Sequence, residues 1–413
     1  MHRFNYKRNQ LYCEDVSVAE IARRVGTPVF IYSRNTLLDH YGKIERALRD
    51  ISPLICFSVK SNSNLAVLKT LVKAGSGLDI VSGGELHRAK LVKADPRKIV
   101  YAGVGKKRNE IIEAIHYGIF FFNVESTEEL ELINRCARDL KKTVNIAVRI
   151  NPDVGVLTHA YTVTGKGDTK FGVDFDTAKS IFRSGWKYRN VKICGVHIHV
   201  GSQILSANPF RKAIKKVLRF LSENTIYIEY LNIGGGLGIV YSMEKAQTAA
   251  RFAGKVLPLI KRSGLKIILE PGRFISGNSG IMATKVLFRK KTGRKRFLVV
   301  DSGMNDLIRP SLYEAYHAIR PVAKSRRRSG RTKHDVVGPI CESGDFLAKD
   351  RALPSLKQGD LLAVMGAGAY GYTMSSNYNS RPRAAEVMVD GDKFFVAKTR
   401  ETNKDLVRGE SIR

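Results

Sequence analysis

Long apolar runs are missing from this sequence: the longest, such as residues 119–124, have only the length of a strand. A transmembrane helix needs roughly 20 apolar residues, so no membrane association is expected. The opening residues, MHRFNYKRNQ, lack the apolar core of a secretory signal, and we therefore expect a cytoplasmic protein. The five cysteines are never spaced as C-x-x-C, which argues against both a disulfide framework and a structural zinc site.

Acidic residues are scarce as well: 38 Asp and Glu oppose 70 Lys and Arg, which gives a net charge of +32. Such a field attracts nucleic acids, anionic membranes and acidic metabolites without specifying any of them. The densest basic run, residues 324–334, has no interleaved aromatic residues, a pattern typical of a solvated loop. We therefore expect no specific nucleic-acid partner.

What remains is the composition of a globular chain of 413 residues, 43% of them hydrophobic and 26% charged. Up to residue 270, short β-branched runs alternate with segments of helical period. The predicted strands are 54–59, 78–81, 98–102, 119–124, 144–150, 192–199, 226–233 and 266–270. The predicted helices include 64–74, 85–93, 107–116, 128–140 and 210–223. Eight strand–helix units favour a closed (β/α)8 TIM-like barrel over an open sheet.

Long helical periods largely stop after residue 270, which predicts an all-β C-terminal domain. A strand-like run at 27–32 leaves open which domain it joins. We divide the chain into an N-terminal segment, 1–30, packing with the β-domain, a barrel, 31–275, and the β-domain, 276–413. Strand-like runs of the last part lie at 283–289, 296–300, 334–339, 361–365, 384–389 and 393–398.

Barrel enzymes carry their reactive side chains at the C-terminal ends of the strands. A lysine ending an apolar strand is either ion-paired or partly desolvated, and desolvation makes its amine a nucleophile. A glycine triplet is often a plain turn, but after a late barrel strand it allows backbone N–H groups to approach a phosphate. The predicted strand ends carry Lys60, Asp79, His197, His199, Gly234–Gly236, Glu270 and Arg273.

The roles of these groups remain open at this level. Arg273 is placed to bind a phosphate or a substrate carboxylate, and Glu270 suits an acid that holds a proton on a ring nitrogen. No Asp or Glu stands at metal-ligand spacing beside His197 and His199, so we expect no metal and at least one structural histidine. In the C-terminal part, Cys341 lies in a turn-like context, where it is either a small core residue or a reactive thiol.

Ten motifs, in order, resemble the fold-type III pyridoxal-phosphate-dependent decarboxylases. The forms CESGD and SSNYNSRP are similar to the diaminopimelate decarboxylase branch of that family. The motifs are SVKSN (58–62), GLDIVSGGEL (77–86), FNVES (122–126), RINPDV (149–154), TKFGV (169–173), GVHIHVGSQI (195–204), NIGGGLGI (232–239), EPGR (270–273), CESGD (341–345) and GAYGYTMSSNYNSRP (368–382).

The resemblance implies pyridoxal 5'-phosphate as the cofactor. Lys60 would form the Schiff base, His199 would stack on the ring, and Glu270 would keep the ring nitrogen protonated. The phosphate would be held by Ser202, Gly235, Gly236, Arg273 and, from the partner subunit, Tyr370. Cofactor contacts are also implied for Asp79, Pro271 and Gly272.

The resemblance also implies decarboxylation of meso-2,6-diaminopimelate to L-lysine and CO2, the last step of lysine biosynthesis. Cys341 would be the general acid that protonates the α-carbon. Cys341 and Glu342 would come from the partner subunit, so that a homodimer shares its active sites. Substrate contacts are implied for Arg273, Arg309, Tyr313, Glu342 and Tyr370.

Other functions remain as alternatives. A sister decarboxylase of ornithine, arginine or carboxynorspermidine would share every cofactor residue, but a zwitterionic distal group needs both a cation and an anion, which Arg309 and Glu342 supply. An alanine racemase would use a catalytic tyrosine in the β-domain, and the CESGD turn disfavours it. A non-catalytic pyridoxal-phosphate carrier would lack the β-domain, and a nucleic-acid-binding module rests on the net charge of +32 alone.

Overall fold

The computed structural model describes residues 2–155, 169–324 and 330–412, so part of the basic run, residues 325–329, lies outside the described residues. The chain divides into two compact units. The barrel unit comprises residues 40–239 and 245–274, and the sheet unit comprises residues 1–39, 240–244 and 275–413. Within the described part of the chain, no helix has the length and apolar character needed to cross a bilayer.

The sheet unit begins with a small antiparallel sheet that the sequence patterns did not predict. Its short strands contain few β-branched residues, which weakens the sequence signal. The first elements are β1 (Phe4–Lys7), β2 (Gln10–Cys13), β3 (Val16–Ser17), α1 (Val18–Val25), β4 (Val29–Ser33) and α2 (Arg34–Leu48), and the division between the units falls within α2.

The barrel unit contains eight parallel strands that close into a barrel, which confirms the predicted fold. They run in chain order around the barrel, and the last strand pairs with the first. The strands are β5 (Leu54–Ser58), β6 (Gly77–Ile80), β7 (Ile99–Tyr101), β8 (Phe121–Val124), β9 (Val144–Arg149), β10 (Val191–His197), β11 (Tyr230–Asn232) and β12 (Lys266–Leu269). The helices are α3 (Leu65–Lys73), α4 (Gly83–Leu91), α5 (Arg108–Tyr117), α6 (Thr127–Asp139), α7 (Phe175–Arg183), α8 (Asn208–Glu223) and α9 (Ala249–Ser263).

Polar side chains cap the N-termini of several helices that follow the barrel strands. The side chains of Asn64, Ser82 and Ser126 accept hydrogen bonds from the first-turn N–H groups of α3, α4 and α6. Such caps satisfy donors that the helix itself leaves unpaired, and they fix where each loop ends. The prediction for β11 was too long, because the apolar residues 226–228 precede the strand and Tyr227 is 88% exposed.

The later elements are α10 (Arg273–Ser276), β13 (Gly280–Thr292), β14 (Lys295–Val300), α11 (Arg309–Tyr313), β15 (Ile319–Pro321), β16 (Thr332–Val337), β17 (Phe346–Leu353), β18 (Leu361–Val364), β19 (Ala385–Asp390), β20 (Lys393–Lys398) and α12 (Asn403–Leu406). The strands among them form a mixed sheet with β4, in the order β17-β16-β14-β13-β4-β19-β20, and β18 pairs with β13 and β15. Strand β4 pairs antiparallel with β13 and parallel with β19, so the run at 27–32 belongs to this sheet. The sequence patterns missed β15 and β17, the latter because Lys349, Asp350 and Arg351 interrupt its apolar run.

Candidate active site

A lysine–aspartate pair lies at the ends of the first two barrel strands. Lys60 follows β5 in a short 3₁₀ turn, and its Nζ is 3.2 Å from Oδ2 of Asp79 on the neighbouring β6. The hydroxyl of Ser58 donates to the same carboxylate. Burial raises the pKa of Asp79, and Glu270 adds to that effect while Lys60 opposes it. The Lys60 side chain keeps 38% of its surface exposed, so this amine is held by an acid and still accessible.

Glu270, directly after β12, is buried and surrounded by polar side chains from three other strands. Its Oε1 accepts hydrogen bonds from Nδ2 of Asn123 at 3.0 Å and from Nδ2 of Asn232 at 2.6 Å. Its Oε2 lies 3.2 Å from Nε2 of His197. Burial opposes ionisation, but His197 and Lys60 outweigh it and hold the pKa of Glu270 well below its usual range. The carboxylate therefore carries a full negative charge at neutral pH.

His199 is a neutral ring. Its Nδ1 accepts a hydrogen bond from the backbone N–H of Gly235 at 3.3 Å, so its remaining proton is on Nε2. Burial, together with the positive charges of Arg149 and Lys60, holds the pKa of His199 well below its usual value. The ring is therefore available as a flat, uncharged surface.

The glycine triplet is required by close backbone packing. A side chain at Gly235 would place its Cβ 2.1 Å from the carbonyl oxygen of Glu270. A Cβ at Gly236, where φ is +102°, would lie 2.2 Å from the carbonyl oxygen of Gly201. The triplet thus brings the backbone against the Glu270 loop, and an interpretation as a plain surface turn is wrong.

Arg273 and Ser202 meet beside this loop. Nη2 of Arg273, the first residue of α10, donates to Oγ of Ser202 at 3.0 Å. Pro271 and Gly272 are buried, and a Cβ at Gly272 would lie 2.9 Å from the Ser58 side chain. All the predicted site residues of the barrel unit therefore belong to one group of loops at the C-terminal ends of its strands.

A metal-ligand geometry also occurs in this unit. Ligand atoms of His197, His199 and Glu270 all lie within 4.8 Å of one another. Sequence spacing did not reveal this cluster because Glu270 comes from a different strand. Glu270 is already engaged by Asn123 and Asn232, and Nδ1 of His199 already accepts a hydrogen bond. The arrangement is thus that of a hydrogen-bonded network, and we assign no metal to it.

Sequence reasoning missed the residues that support this network. Asn123 and Asn232 are fully buried polar residues inside strands. Arg149, at the end of β9, donates from Nη1 to Oε1 of Glu125 at 2.8 Å. Burial opposes ionisation of Glu125, but Arg149 and Lys106 lower its pKa overall. A usable signal exists, since each of these residues interrupts an otherwise apolar strand or its end.

In the sheet unit, Arg309 begins α11 and Tyr313 ends it. Arg309 is buried, and its Nη1 lies 2.9 Å from Oη of Tyr241 and 3.1 Å from Nε2 of His317. Tyr313 is half-buried. Neither Tyr241 nor His317 is part of a recognised motif, and Tyr241 lies 68 residues from Arg309 in the sequence, so sequence patterns did not indicate these contacts.

Cys341 and Glu342 lie in an exposed turn of the sheet unit. Cys341 is exposed whereas the other four cysteines are buried, so its interpretation as a core residue is wrong. The carboxylate of Asp345 accepts hydrogen bonds from the N–H groups of Met304 and Ile340. The N–H of Cys341 donates to Oδ1 of Asn379 at 2.7 Å. Tyr370, in the neighbouring motif, has a left-handed backbone with φ of +55°.

Comparison with known proteins gives one consistent family. The family model for the pyridoxal-binding domain of the pyridoxal-dependent decarboxylases matches residues 34–277. Diaminopimelate decarboxylases from Aquifex aeolicus and Vibrio cholerae are each 46% identical to this chain, the first over 98% of this chain and 97% of its own length, the second over 100% and 99%.

Solved structures agree with these relatives. The diaminopimelate decarboxylase of Helicobacter pylori, solved in complex with L-lysine, is 39% identical, with a TM-score of 0.90 over 94% of this chain and 98% of that one. The lysine/ornithine decarboxylase of Vibrio vulnificus, complexed with putrescine, is 21% identical, with a TM-score of 0.80 over 91% and 97% of the two chains. At that identity the second likeness establishes the fold alone.

Proposed function

The chain belongs to the diaminopimelate decarboxylase family of pyridoxal-dependent decarboxylases, and we propose that it converts meso-2,6-diaminopimelate to L-lysine and CO2. This reaction would be the last step of lysine biosynthesis. The observation that carries the proposal is the accessible Lys60 amine beside Asp79, in the same group of strand ends as the ionised Glu270. An amine nucleophile and a buried anion are what the cofactor of this family requires of its protein.

Pyridoxal 5'-phosphate fits the residues of the barrel unit. Arg273 and Ser202, 3.0 Å apart, offer a cation and a hydroxyl to a phosphate. Oδ1 of Asp79 is buried and has no hydrogen-bond partner among the described residues, which leaves an unused acceptor on the carboxylate that holds Lys60. The close backbone approach at Gly235 and Gly236 is of the kind that phosphate sites use.

Each predicted cofactor-binding residue of the barrel unit then has a role. Lys60 Nζ would hold the aldehyde carbon, and the neutral ring of His199 would stack on the pyridine face. Glu270, oriented by Asn123 and Asn232, would hold a proton on the ring nitrogen. Ser202, the backbone at Gly235 and Gly236, and Arg273 would bind the phosphate, with further contacts from Asp79, Pro271 and Gly272. When bound, the cofactor supplies an electron sink for the electron pair left by the departing carboxylate.

The roles in the sheet unit rest on the family resemblance. Arg309, Tyr313, Glu342 and Tyr370, with Arg273 of the barrel unit, would bind the substrate, and the Cys341 thiol would protonate its α-carbon. We propose a cytoplasmic homodimer in which Cys341, Glu342 and Tyr370 complete the site of the partner chain. The exposure of Cys341 and Glu342 in the single chain supports this arrangement, since such residues must be available to a second copy.

One experiment locates the cofactor. The purified holoenzyme should have a visible absorption band that borohydride removes, and mass spectrometry should then find the reduced cofactor on the peptide containing CFSVK (56–60). Lys60→Ala should lose the band, whereas Lys69→Ala, which removes a half-buried lysine of α3 whose Nζ donates to the carbonyl oxygen of Val92 at 2.9 Å, should keep it. An adduct on another lysine, or none, would overturn the assignment.

A second experiment tests the substrate. Release of CO2 from meso-diaminopimelate should exceed release from L-ornithine, L-arginine and carboxynorspermidine by at least roughly a hundredfold in kcat/KM, because these three lack the distal carboxylate and leave its cationic partner in the site unpaired. Faster turnover of one of the other three amino acids would assign the chain to a sister activity and contradict the proposal.

A further inference from the structure

Arg309 of the sheet unit is held by two aromatic side chains. Its Nη1 lies 2.9 Å from Oη of Tyr241 and 3.1 Å from Nε2 of His317. Its guanidinium carbon is 4.9 Å from the centre of the Tyr241 ring, and the Tyr241 and His317 rings meet edge to face at 5.3 Å. The arginine is thus constrained by hydrogen bonds and by ring contacts together.

The geometry defines which nitrogen of His317 carries the proton. His317 is fully buried, and its Nδ1 lies 2.9 Å from the carbonyl oxygen of Met365. A carbonyl only accepts, so Nδ1 must donate, while the Arg309 guanidinium only donates, so Nε2 must accept. His317 is therefore a neutral ring that connects the Met365 backbone to Arg309. Its own carbonyl accepts a hydrogen bond from Nη1 of Arg351 at 2.7 Å, which anchors its backbone as well.

These contacts orient Arg309 through uncharged groups. The two hydrogens of Nη1 point to a phenol oxygen and to a neutral ring nitrogen, so neither contact adds a negative charge. Arg149 of the barrel unit differs, because its Nη1 donates to the carboxylate of Glu125 at 2.8 Å. A cation that must recognise a carboxylate ligand benefits from fixed orientation by neutral acceptors, since charge-assisted bonds depend on the direction of the donors.

We infer that His317 is a positioning residue that acts through Arg309 on recognition of the substrate's distal carboxylate. The inference rests on the proposed function, in which Arg309 binds the distal group. It predicts that loss of the His317 contact weakens ligands that carry a distal carboxylate and leaves other ligands unaffected. L-Lysine, the product, keeps the distal carboxylate, whereas cadaverine, the decarboxylated form of L-lysine, has the distal amine without that carboxylate.

Two substitutions of His317 each remove one of its two side-chain hydrogen bonds, the one to Met365 or the one to Arg309. His317→Gln keeps an acceptor at the position of Nε2, facing Arg309, and loses the donor to Met365. His317→Asn keeps a donor at the position of Nδ1 and is too short to reach Arg309. We expect His317→Asn to raise KM for diaminopimelate by about tenfold or more, the usual effect of losing a hydrogen bond to a charged group, and His317→Gln to retain most of the affinity.

The readout is a comparison of ligands in one enzyme preparation. In His317→Asn, KM for diaminopimelate should rise while the inhibition constant of cadaverine, kcat and the visible absorption band stay near their wild-type values. His334→Asn is the matched control, because its Nδ1 also faces a main-chain carbonyl, that of Thr332 at 3.0 Å. This control should leave both constants unchanged.

Several results would overturn the inference. An equal rise in KM and in the cadaverine inhibition constant would indicate general damage to the site, and an unchanged KM in His317→Asn would remove the role of the contact. A larger loss in His317→Gln than in His317→Asn would assign the effect to the Met365 bond instead. If the wild-type enzyme does not decarboxylate diaminopimelate, the proposed function itself fails, and that outcome is distinct from these.

Discussion

The barrel unit and the sheet unit hold their buried charges in different ways. In the barrel unit, buried cations meet carboxylates of neighbouring loops and of the first turns of helices. Lys106 lies 2.5 Å from Glu129, and Arg149 lies 2.8 Å from Glu125. Parallel strands end at the same edge of the barrel, so side chains of opposite charge that follow adjacent strands are close together without special loops.

In the sheet unit, buried carboxylates instead accept hydrogen bonds from backbone N–H groups. Glu14 accepts from the N–H groups of Asn35 and Gly391, and Asp345 accepts from those of Met304 and Ile340. Asp306 accepts from the N–H of Gly303 at 3.1 Å. These acids fix the shape of irregular loops, where no ladder satisfies the backbone.

The difference has an energetic consequence. Removing one member of a buried ion pair leaves the other charge buried and uncompensated, which is costly. A carboxylate that accepts hydrogen bonds from backbone N–H groups has no buried counter-ion that its removal would leave unpaired. Its contribution to stability depends instead on its own protonation state. Breaking the two kinds of contact should therefore give different responses to mutation and to pH.

The largest effect is expected for Lys106→Met in the barrel unit. Lys106 is buried, and its Nζ donates to Glu129 and to the carbonyl oxygens of Gly103 and Asn123. Burial already raises the pKa of Glu129, so its carboxylate depends on this cation. Loss of the cation should lower the free energy of unfolding by roughly 3–5 kcal/mol, measured by urea denaturation with helical circular dichroism as the signal.

The double variant Lys106→Met/Glu129→Gln serves as its control. It removes both charges, and the Gln oxygen can still accept from the N–H of Glu125, which lies 2.9 Å from Glu129 in the native chain. It should recover most of the lost stability. If the single and double variants lose equally, the uncompensated charge is not the cause, and the contrast between the units fails at this site.

The second effect has the opposite sign and depends on pH. Burial raises the pKa of Asp306 to about 7, from an ordinary value of 3.8. The folded chain therefore keeps a proton that the unfolded chain has released, and stability falls as pH rises from about 4 to about 7, by up to about 1.4 kcal/mol per pH unit. Asp306→Asn should match wild type near pH 4 and become more stable, by a few kcal/mol at most, near pH 8.

Urea denaturation of both proteins across that pH range measures the difference. Asp301, Arg381 and Arg400 also act on Asp306, and their effects are part of the titration that the comparison measures, because Asp306→Asn removes the charge on which they act. Asp392→Asn, at an exposed position, controls for the loss of one negative charge. A constant stability difference between wild type and Asp306→Asn across this pH range would contradict the assigned titration.

The two units also differ in how far the sequence predicts them. The barrel and most of its site follow from regular strands, since Lys60, Asp79 and Glu270 are placed simply by where β5, β6 and β12 lie. The hydrogen-bonded neighbours of Glu270 could not be predicted in the same way. Asn123 and Asn232 are polar residues inside apolar strands, and only the closure of the barrel shows that both face one carboxylate.

The sheet unit is less predictable because its loops are held by contacts far apart in sequence. Glu14 and Gly391 are 377 residues apart, and Tyr241 and Arg309 are 68 apart. No local period or motif encodes such pairs. The motif CESGD indicated a functional turn and includes Asp345, but the hydrogen bond from its Cys341 N–H to Asn379 appears only when the two loops are seen together.

The smallest effect tests whether a neutral side chain can hold a functional loop of the sheet unit. Oδ1 of Asn379 accepts the Cys341 N–H at 2.7 Å, and Asn379 has a left-handed backbone with φ of +56°. Glycine adopts that backbone freely, so Asn379→Gly removes the hydrogen bond without strain. A net hydrogen bond of this kind is worth about 1 kcal/mol. Because the Cys341 thiol is the proposed proton donor, kcat should fall by about threefold to tenfold, and the free energy of unfolding should fall by no more than about 1 kcal/mol.

Asn379→Asp provides the matched comparison, because it keeps an acceptor oxygen toward the same N–H and tolerates the same backbone. Its kcat should stay near the wild-type value while that of Asn379→Gly falls. If both variants lose activity equally, the side-chain amide of Asn379 has a role other than accepting from Cys341. If neither does, the turn that carries Cys341 is held sufficiently by Asp345, whose carboxylate accepts the adjacent Ile340 N–H at 2.7 Å. The backbone-bound carboxylate alone would then account for the geometry of this loop, which would make the contrast with the paired charges of the barrel sharper.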